Sequence, residues 1–265
     1  MSALKVGLIG YGAIGQALAT RIRTLAGSTL AVLERPGSAA QSLLEPGDLS
    51  VHDVDTLLAF GPDVVVECAG HEALASYGEP LLRAGRLLIA ASVGALADAE
   101  LYDRLNAAAL AGGGRLQIVP GAIAGLDALS AIPKDQIDTV VYQGTKAPAA
   151  WRGTAAEASI DLTEVSTASR FFQGTAREAA RLYPKNANVV AATALAGIGF
   201  ERTRAELWVD PQAEGNIHRF TVEGSFGSLS IDIRAKPLAG NAKSSALTPE
   251  SLFRAVRNLA TSPVI

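Results

Sequence analysis

The chain has 265 residues, of which 49% are hydrophobic and 18% are charged, and its formal net charge is −3. This composition fits a well-buried α/β enzyme and excludes a disordered chain, and the length suffices for one large domain or, as we predict, two modest ones. The chain has no block of basic residues, so nucleic acid is not expected as a partner.

Cysteine content and hydropathy indicate the cellular compartment of the protein. Cys68 is the only cysteine, which excludes an intrachain disulfide and a thiolate cluster for zinc, and we expect no bound metal. No apolar run reaches the roughly 20 residues of a membrane span. The first predicted strand begins within about five residues of Met1, which leaves no room for a secretory apolar region of roughly 7–15 residues. We therefore expect a cytoplasmic protein without a membrane partner.

In the stretch KVGLIGYGAIG, a short apolar run is followed by three glycines, Gly10, Gly12 and Gly15. The spacing predicts a buried strand, a tight turn at Gly10, close approach of a pyrophosphate at Gly12, and close helix packing at Gly15. The N–H groups at the helix start, at Ala13 and Ile14, are suited to bind phosphate. We predict a dinucleotide site here in preference to a merely structural glycine-rich turn.

A helix over 16–25 and a strand over 30–33 are predicted next, and Glu34 follows 24 residues after Gly10. An acidic residue at this place accepts hydrogen bonds from the ribose hydroxyls of the cofactor. Arg35 could instead meet the 2′-phosphate of NADP, or could be a solvated turn residue. The sequence therefore predicts NAD or NADP as the cofactor and leaves the preference open.

The alternation of strand and helix then repeats, which predicts a doubly wound parallel sheet of the Rossmann type. Predicted strands end at two small-residue loops, Cys68-Ala69-Gly70 and the loop that begins with Ser92. Such loops lie at the carboxyl ends of the strands, where open α/β folds bind ligands. The residues Cys68, Ala69, Gly70 and Ser92 are therefore candidates for cofactor binding. The predicted elements are strands 50–54, 64–66, 86–91 and 116–119 and helices 54–59, 73–84 and 98–110.

Beyond Pro133 the pattern changes to longer strands with period-two alternation, which predicts an α+β domain with a mostly antiparallel sheet. The predicted elements are strands 138–143, 159–165, 204–209, 217–222 and 228–234 and helices 175–182 and 188–196. A last helix is predicted from Thr248, with an apolar stripe of Leu252, Phe253, Val256 and Leu259. The predicted domains are residues 1–122 for the dinucleotide, 123–240 for substrate and oligomerisation, and 241–265 for a helix that packs back on the first domain.

The chain has three histidines, which are the candidates for an acid or base that titrates near neutral pH. His52 lies in a region of surface character, and a structural interpretation is favoured. His71 is explained as well by the start of a helix as by a contact with the dinucleotide. His218 shares one face of a predicted strand with Phe220 and Val222, and a histidine on such a face is usually a hydrogen-bonded core residue. The pattern alone therefore favours a structural role for His218 over catalysis.

Several polar residues lie in predicted loops. Asn188 can cap the helix that follows it, and it can also bond the nicotinamide carboxamide, since an amide is both donor and acceptor. Lys146, Arg152, Lys185 and Lys243 are cations in turns or loops rich in glycine, serine or asparagine. Any of them could hold a substrate carboxylate, although most are expected to be surface charges.

Eight stretches carry a resemblance to one family. They are GYGAIG, ECAGHEA, SVGAL, PGAIAGLDAL, GTKAPAAWRGT, FFQGTAREAARLYPKNANVVAATALAGIGFERT, NIHRFTVEGSFGSL and PLAGNAKSSALT. On these motifs the chain resembles the L-aspartate dehydrogenases nearly end to end. The resemblance implies a Rossmann domain, an α+β substrate domain and NAD(P)-dependent oxidation of L-aspartate to iminoaspartate. Hydrolysis then gives oxaloacetate and ammonia, and in some members the product feeds NAD biosynthesis.

The resemblance also implies roles for individual residues. The family's catalytic histidine falls on His218, and its cofactor contacts fall on Ala122 of PGAIAG, with Ala124 as the alternative, and on Asn188 of KNANV. Neutral imidazole, with a pKa near 6.5, is suited to proton transfer at neutral pH. The candidate substrate-binding residues are Lys146, Asn188, His218 and Lys243.

Other interpretations of the same fold are kept as alternatives. A homoserine-type dehydrogenase or a dihydrodipicolinate-type reductase has a similar build, and a non-catalytic dinucleotide sensor is the competing class. A sensor would not need His218 or cations that hold carboxylates. Five predicted strands with two helices to cover them also predict a homodimer through the exposed side of the second sheet.

Overall fold

The computed structural model of the chain describes residues 3–264, apart from the side chains of residues 39, 185, 242 and 243. The chain forms two compact units, Met1–Val119 with Thr248–Ile265 and Pro120–Leu247. Within the described range no helix is long and apolar enough to cross a membrane. The described His, Cys, Asp and Glu side chains form no group of three that could hold a metal ion.

The first unit contains a sheet of six parallel strands. They are β1 (Lys5–Ile9), β2 (Thr29–Leu33), β3 (Leu49–Val51), β4 (Val64–Glu67), β5 (Leu87–Ala90) and β6 (Arg115–Ile118). The order across the sheet is β3-β2-β1-β4-β5-β6, which is the doubly wound order with its switch point between β1 and β4. Val64, Val65 and Val66 are all 0% exposed, as expected for a strand that is covered on both faces. The predicted Rossmann sheet is confirmed.

Four helices connect these strands. They are α1 (Ala13–Ile22), α2 (Val54–Phe60), α3 (His71–Arg83) and α4 (Ala99–Gly112). Asp53 and Asp98 accept backbone N–H bonds at the starts of α2 and α4, as N-capping carboxylates do. The helix predicted over 16–25 begins earlier, at Ala13, so its N-terminus lies directly at the glycine-rich loop.

The second unit is built on a sheet of five strands. The strands of the unit are β7 (Ile137–Lys146), β8 (Ser169–Thr175), β9 (Thr203–Val209), β10 (Asn216–Gly224), β11 (Gly227–Ala235) and the short pair β12 (Pro237–Leu238) and β13 (Asn241–Ser245). The order across the five-stranded sheet is β11-β10-β7-β9-β8. β7 and β9 are parallel, and the other three neighbouring pairs are antiparallel. The predicted mostly antiparallel sheet is confirmed.

One predicted strand of this unit, 159–165, is wrong. The Asp161 carboxylate accepts bonds from the backbone N–H and the hydroxyl of Thr163, and such an Asx-turn competes with a sheet ladder. The fifth strand is β8, which pairs with β9 and carries an irregularity between Arg170 and Phe172. A bulge of this kind breaks the period-two alternation, so the sequence pattern did not indicate the strand.

Four helices complete the second unit. They are α5 (Leu126–Ala131), α6 (Pro148–Trp151), α7 (Ala176–Leu182) and α8 (Ala187–Ala196). α7 opens with a capping box in which Thr175 and Glu178 bond each other's backbone N–H groups. α8 packs against α5, α7 and the strands β7 and β9, and its residues are buried on nearly all sides. It is therefore the central helix of this core.

One face of the second sheet, called the inner face below, is buried. It is formed by alternate residues of β7 and β10, namely Val140, Tyr142, Gly144 and Lys146 and, on β10, Asn216, His218, Phe220 and Val222. Tyr142 and Phe220 are 1% and 0% exposed. The polar side chains on the inner face are consequently shielded from most of the bulk water.

The last helix, α9 (Leu247–Arg257), contributes to the core of the first unit. Leu252 and Val256 are 0% exposed and belong to the hydrophobic cluster that contains two buried residues from each of β1 and β4. The helix begins one residue before the predicted start at Thr248. Leu259 is 41% exposed, so its predicted place in the apolar stripe is wrong, because the helix has already ended and its periodicity no longer applies.

Candidate active site

The glycine-rich loop after β1 is shaped by close backbone approach. Gly10 has a φ of 90°, and a Cβ at this position would lie 2.6 Å from the Cβ of Ala69. A Cβ at Gly15 would lie 2.4 Å from the backbone oxygen of Gly10. Both positions exclude a side chain for reasons internal to the protein. The loop is thereby held against the end of β4.

Gly12 has no such internal reason to be glycine. Its φ of −72° is open to any residue, and, apart from Gly12 and its two chain neighbours, no atom of the described residues lies within 4 Å of the place of a Cβ. Gly12 directly precedes Ala13 and Ile14, the first residues of α1, whose N–H groups have no partner within the helix. A phosphate bound at a helix N-terminus needs both this space and these donors. The loop therefore fits a dinucleotide.

A buried carboxylate joins two loops at the carboxyl edge of the first sheet. Glu67, the last residue of β4, accepts bonds from the N–H groups of Ala69 and Gly70 at 2.8 Å and from the N–H and hydroxyl of Ser92 at 3.0 and 2.8 Å. Burial raises the pKa of Glu67, and the four bonds oppose that shift. Glu67 was not among the residues predicted from the sequence, although its place directly before a small-residue loop was an available signal.

Cys68 has a structural role in this loop. Its thiol lies 3.4 Å from the backbone oxygen of Ile9 and 3.3 Å from that of Gly10. Burial raises the pKa of the thiol well above its usual value, and the charge of Glu67 adds to this effect. A thiol that stays protonated is neither a nucleophile nor a metal ligand. Cys68 therefore fastens the end of β4 to the glycine-rich loop.

Glu34 is fixed at the end of β2 by two serines. Its side chain is 5% exposed, and its two carboxylate oxygens accept bonds from the hydroxyls of Ser38 at 2.7 Å and Ser50 at 2.8 Å. Arg35 and His52 are exposed, and Nδ1 of His52 lies 3.2 Å from the backbone oxygen of Glu34. A fixed carboxylate at the end of the second strand suits the ribose of a dinucleotide.

Three titratable side chains lie on the inner face of the second sheet. Tyr142, Lys146 and His218 are 1%, 8% and 6% exposed. The Tyr142 hydroxyl oxygen lies 2.8 Å from Nδ1 of His218. Burial, and secondly the charge of Lys146, lowers the pKa of His218 to about 3, and burial lowers the pKa of Lys146 to about 8. Neutral imidazole is thus the stable form, and perturbed groups of this kind are typical of functional sites.

Lys146 also lines a cavity of about 330 Å³ in the second unit. The other lining residues are Ala147, Ala149, Ala150, Arg152, Thr154, Asn186, Gly215, Asn216 and Pro237. The Lys146 ammonium donates to Oδ1 of Asn186 and lies 5.5 Å from the centre of the Trp151 ring. Of the lining residues that the structure describes, two are cations and none is Asp or Glu. The charge of the cavity therefore suits an anion.

The remaining candidates are spread over several elements. Ala122 is buried in the loop after β6, and Ala124 is exposed. His71 is the first residue of α3, the helix-start position that the structural interpretation predicted. The side chains of Lys185 and Lys243 lie outside the described residues.

Asn188 does not cap α8. The helix begins at Ala187, and Asn186 occupies the position before it, so the predicted cap at Asn188 is wrong. Asn188 lies exposed in the first turn, whereas Asn186 lines the cavity and accepts the bond from Lys146. The turn was predicted from the sequence but the role of Asn186 was not, because the contact of Asn186 with Lys146 depends on tertiary packing.

These features are those of a nicotinamide-dependent oxidoreductase. They are the glycine-rich loop with open space at Gly12, the fixed acid at the end of the second strand, and, in the second unit, a buried histidine and a cavity lined by two cations. Residues 10–118 match the family model described as homoserine dehydrogenase, NAD binding domain. Residues 127–259 match the model described as aspartate dehydrogenase, C-terminal.

Curated relatives define the family more narrowly. An L-aspartate dehydrogenase of Ralstonia nicotianae is 42% identical over 97% of this chain and 98% of its own length. One of Ruegeria pomeroyi is 45% identical over 96% of this chain and 92% of its own length. The chain belongs to the L-aspartate dehydrogenase family, as the resemblance of its motifs predicted.

Solved structures agree with this family. The crystal structure of aspartate dehydrogenase from Thermotoga maritima matches with a TM-score of 0.78 and 26% identity, over 100% of both chains. An archaeal homoserine dehydrogenase in complex with NADPH matches with a TM-score of 0.60 and 13% identity, over 100% of both chains. The second likeness shows the fold alone, and the comparisons do not favour the homoserine-type alternative.

The open space at Gly12 yields a prediction. Gly12→Val should leave the fold intact and weaken cofactor binding roughly 10–100-fold, because the backbone accepts valine and its side chain would fill the space of the phosphate. Gly10→Ala is the contrasting variant, and its close approach to Ala69 should lower thermal stability. Fluorescence titration with the reduced cofactor measures the affinity, and circular dichroism measures the melting. Unchanged affinity in folded Gly12→Val would refute this placement of the phosphate.

Proposed function

We propose that the protein catalyses the NAD(P)-dependent oxidation of L-aspartate to iminoaspartate, which hydrolyses to oxaloacetate and ammonia, and that it also catalyses the reverse reaction. The cavity around Lys146 carries the proposal, because two cations and no described acidic residue line it. L-Aspartate has two carboxylates, whereas L-homoserine has one and would leave one cation without a partner. As in some members of the family, the product would enter NAD biosynthesis.

NAD or NADP supplies the acceptor of the hydride that leaves Cα. In the proposal, the glycine-rich loop and the start of α1 hold the pyrophosphate, and the ends of β2, β4 and β5 hold the rest. The residues of the first unit in this role are Gly10, Gly12, Ala13, Ile14, Gly15, Glu34, Arg35, Cys68, Ala69, Gly70 and Ser92. The family resemblance adds Ala122 and Asn188 of the second unit.

Cations hold the substrate carboxylates in the proposed complex. Lys146 pairs with one carboxylate as the ammonium ion, and Asn186, whose oxygen accepts from it, keeps Nζ in place. Arg152 lines the same cavity and offers a planar fork that suits the second carboxylate. Asn188, as an amide in the turn, and Lys243, as a loop cation, are further proposed contacts of the substrate. With both carboxylates held, Cα is fixed for loss of hydride.

His218 is the proposed acid/base residue. In the ligand-free protein its pKa is lowered to about 3 by burial and by Lys146, so the imidazole is neutral. A carboxylate paired with Lys146 offsets the positive charge that disfavours the imidazolium ion. Substrate binding thus raises the basicity of His218 at the moment when the proton has to be taken from the attacking water.

Initial rates with L-aspartate, L-homoserine and L-glutamate, each with NAD and NADP, test the proposed function. L-Aspartate should be the fastest substrate.

The role of His218 is tested separately. His218→Asn should lower kcat by about 10²–10⁴-fold with unchanged cofactor affinity, because asparagine hydrogen-bonds but cannot cycle a proton. Near-normal turnover of His218→Asn from about pH 6 to 9 would show that the histidine is structural.

The role of Lys146 predicts a pH dependence of substrate binding. Affinity for a dicarboxylate should fall as the pH rises above about 8, the lowered pKa of Lys146, because the charge-assisted pair needs the ammonium ion. Lys146→Met should bind succinate about 10–100-fold more weakly at neutral pH and lose this dependence. Lys134→Met, which removes an exposed lysine of the same unit, is the matched control. Wild-type affinity of Lys146→Met by calorimetry would exclude Lys146 from the site.

We further infer that the enzyme is a cytoplasmic homodimer. Val141, Trp208 and Ile217 are half-buried and alternate with the residues of the inner face, so they lie on the opposite side of the second sheet. A second copy of the chain would cover this surface. The cytoplasmic location rests on the single cysteine, which suits a reducing compartment. Light scattering that shows a monomer at working concentration would overturn the dimer.

A further inference from the structure

Tyr142 contacts the side of the His218 ring that carries Nδ1. The hydroxyl oxygen and Nδ1 are 2.8 Å apart, and the two rings lie with their planes at 27° and their centres 6.1 Å apart. Both side chains are buried on the inner face, where a hydrogen bond is not in competition with water and an unpaired polar atom is costly. The bond therefore fixes the orientation of the imidazole.

The contact depends on the absence of a side chain at residue 144. His218 pairs with Gly144 across β10 and β7, and Tyr142 lies two residues before Gly144 on the same face. A Cβ at residue 144 would lie 2.8 Å from the Tyr142 hydroxyl oxygen. The φ of Gly144 is not in the left-handed region, so its backbone does not require glycine. The missing side chain leaves the space through which the hydroxyl reaches His218.

We propose that Tyr142 is a positioning residue for His218, and that its hydroxyl engages Nδ1 so that Nε2 is the nitrogen that exchanges protons with the substrate. The inference rests on the proposed role of His218. In the base form, Nδ1–H donates to the Tyr142 oxygen and Nε2 carries a lone pair. The hydrogen bond at one ring nitrogen decides which tautomer the imidazole adopts.

The proton step can be followed atom by atom. An O–H bond of the attacking water breaks, its proton goes to the Nε2 lone pair, and the freed oxygen pair forms the bond to the imino carbon. The imine is protonated after hydride loss, so its π electrons move to the iminium nitrogen, which becomes the neutral amino group of the carbinolamine. Nδ1 keeps its own proton and its bond to Tyr142, so the bond persists as the imidazolium charge appears. Burial raises the pKa of Tyr142, so the hydroxyl stays a neutral phenol that can accept or donate.

Tyr142→Phe tests the proposal by removing a single oxygen atom. We expect kcat to fall about 10–100-fold, with unchanged cofactor affinity and unchanged KM for L-aspartate, because Nδ1 loses its partner and the ring can adopt the other tautomer. The ¹⁵N NMR signal of Nδ1 in His218 should shift in the ligand-free protein. Tyr102→Phe, in α4 of the first unit, is the matched control and should change neither kcat nor the NMR signal.

Gly144→Ala reaches the same hydrogen bond from its other side. Its Cβ should displace the Tyr142 hydroxyl and lower kcat by a similar factor. In the Tyr142→Phe background the oxygen at 2.8 Å is gone, so the added alanine should cost little more. Effects that multiply in the double variant would show that the two residues act separately, and would overturn the inference.

The NMR measurement separates failure of this inference from failure of the proposed function. An unchanged Nδ1 signal in folded Tyr142→Phe overturns the inference whatever the enzyme does. A shifted signal with near-normal turnover in both Tyr142→Phe and His218→Asn overturns the proposed role of His218 and, with it, the positioning role. A shifted signal with reduced kcat in both variants supports the two together.

Discussion

On the inner face of the second sheet, the Lys146 ammonium and the His218 imidazole are largely removed from water. This desolvation decides the protonation state, and hence the chemistry, of both side chains. A cation in such a place is unstable unless an anion accompanies it. The lowered pKa values of Lys146 and His218 express that cost. The described lining of the cavity offers no carboxylate of its own. In the proposed function the substrate carboxylate is the partner of Lys146, so that recognition of the substrate and activation of His218 are two results of one electrostatic event.

The buried charge of the first unit, the Glu67 carboxylate, has hydrogen-bond donors around it, in contrast to the Lys146 ammonium of the second unit. Glu67 is buried even more deeply than Lys146, and four hydrogen bonds from Ala69, Gly70 and Ser92 surround its carboxylate. The Glu67 carboxylate therefore makes the edge of the sheet rigid, because each of its hydrogen bonds fixes a loop there. In the proposed function, the charge of Lys146, which has no built-in carboxylate among the described lining residues, serves recognition of the substrate.

The sequence predicted most of the strands and the dinucleotide loop, because glycine spacing and β-branched runs are local signals. Local signals failed where side chains acted on the backbone, as at Asp161, where an Asx-turn replaced a predicted strand, and in β8, where a bulge interrupted the alternation. The motif around His218 was visible, but its partner Tyr142 was not. That partnership depends on the register of β7 against β10 and on the space at Gly144, which no single stretch of sequence encodes.

The place of α9 in the chain has a consequence for synthesis. Leu252 and Val256 belong to the core that β1 and β4 begin, yet the ribosome adds them only after the whole of the second unit, Pro120–Leu247. At roughly 5–20 residues per second, the nascent Rossmann strands wait on the order of 10 s for the helix that closes their core. During this interval an apolar surface stays open on the emerging chain. The part of the protein made first is thus completed last.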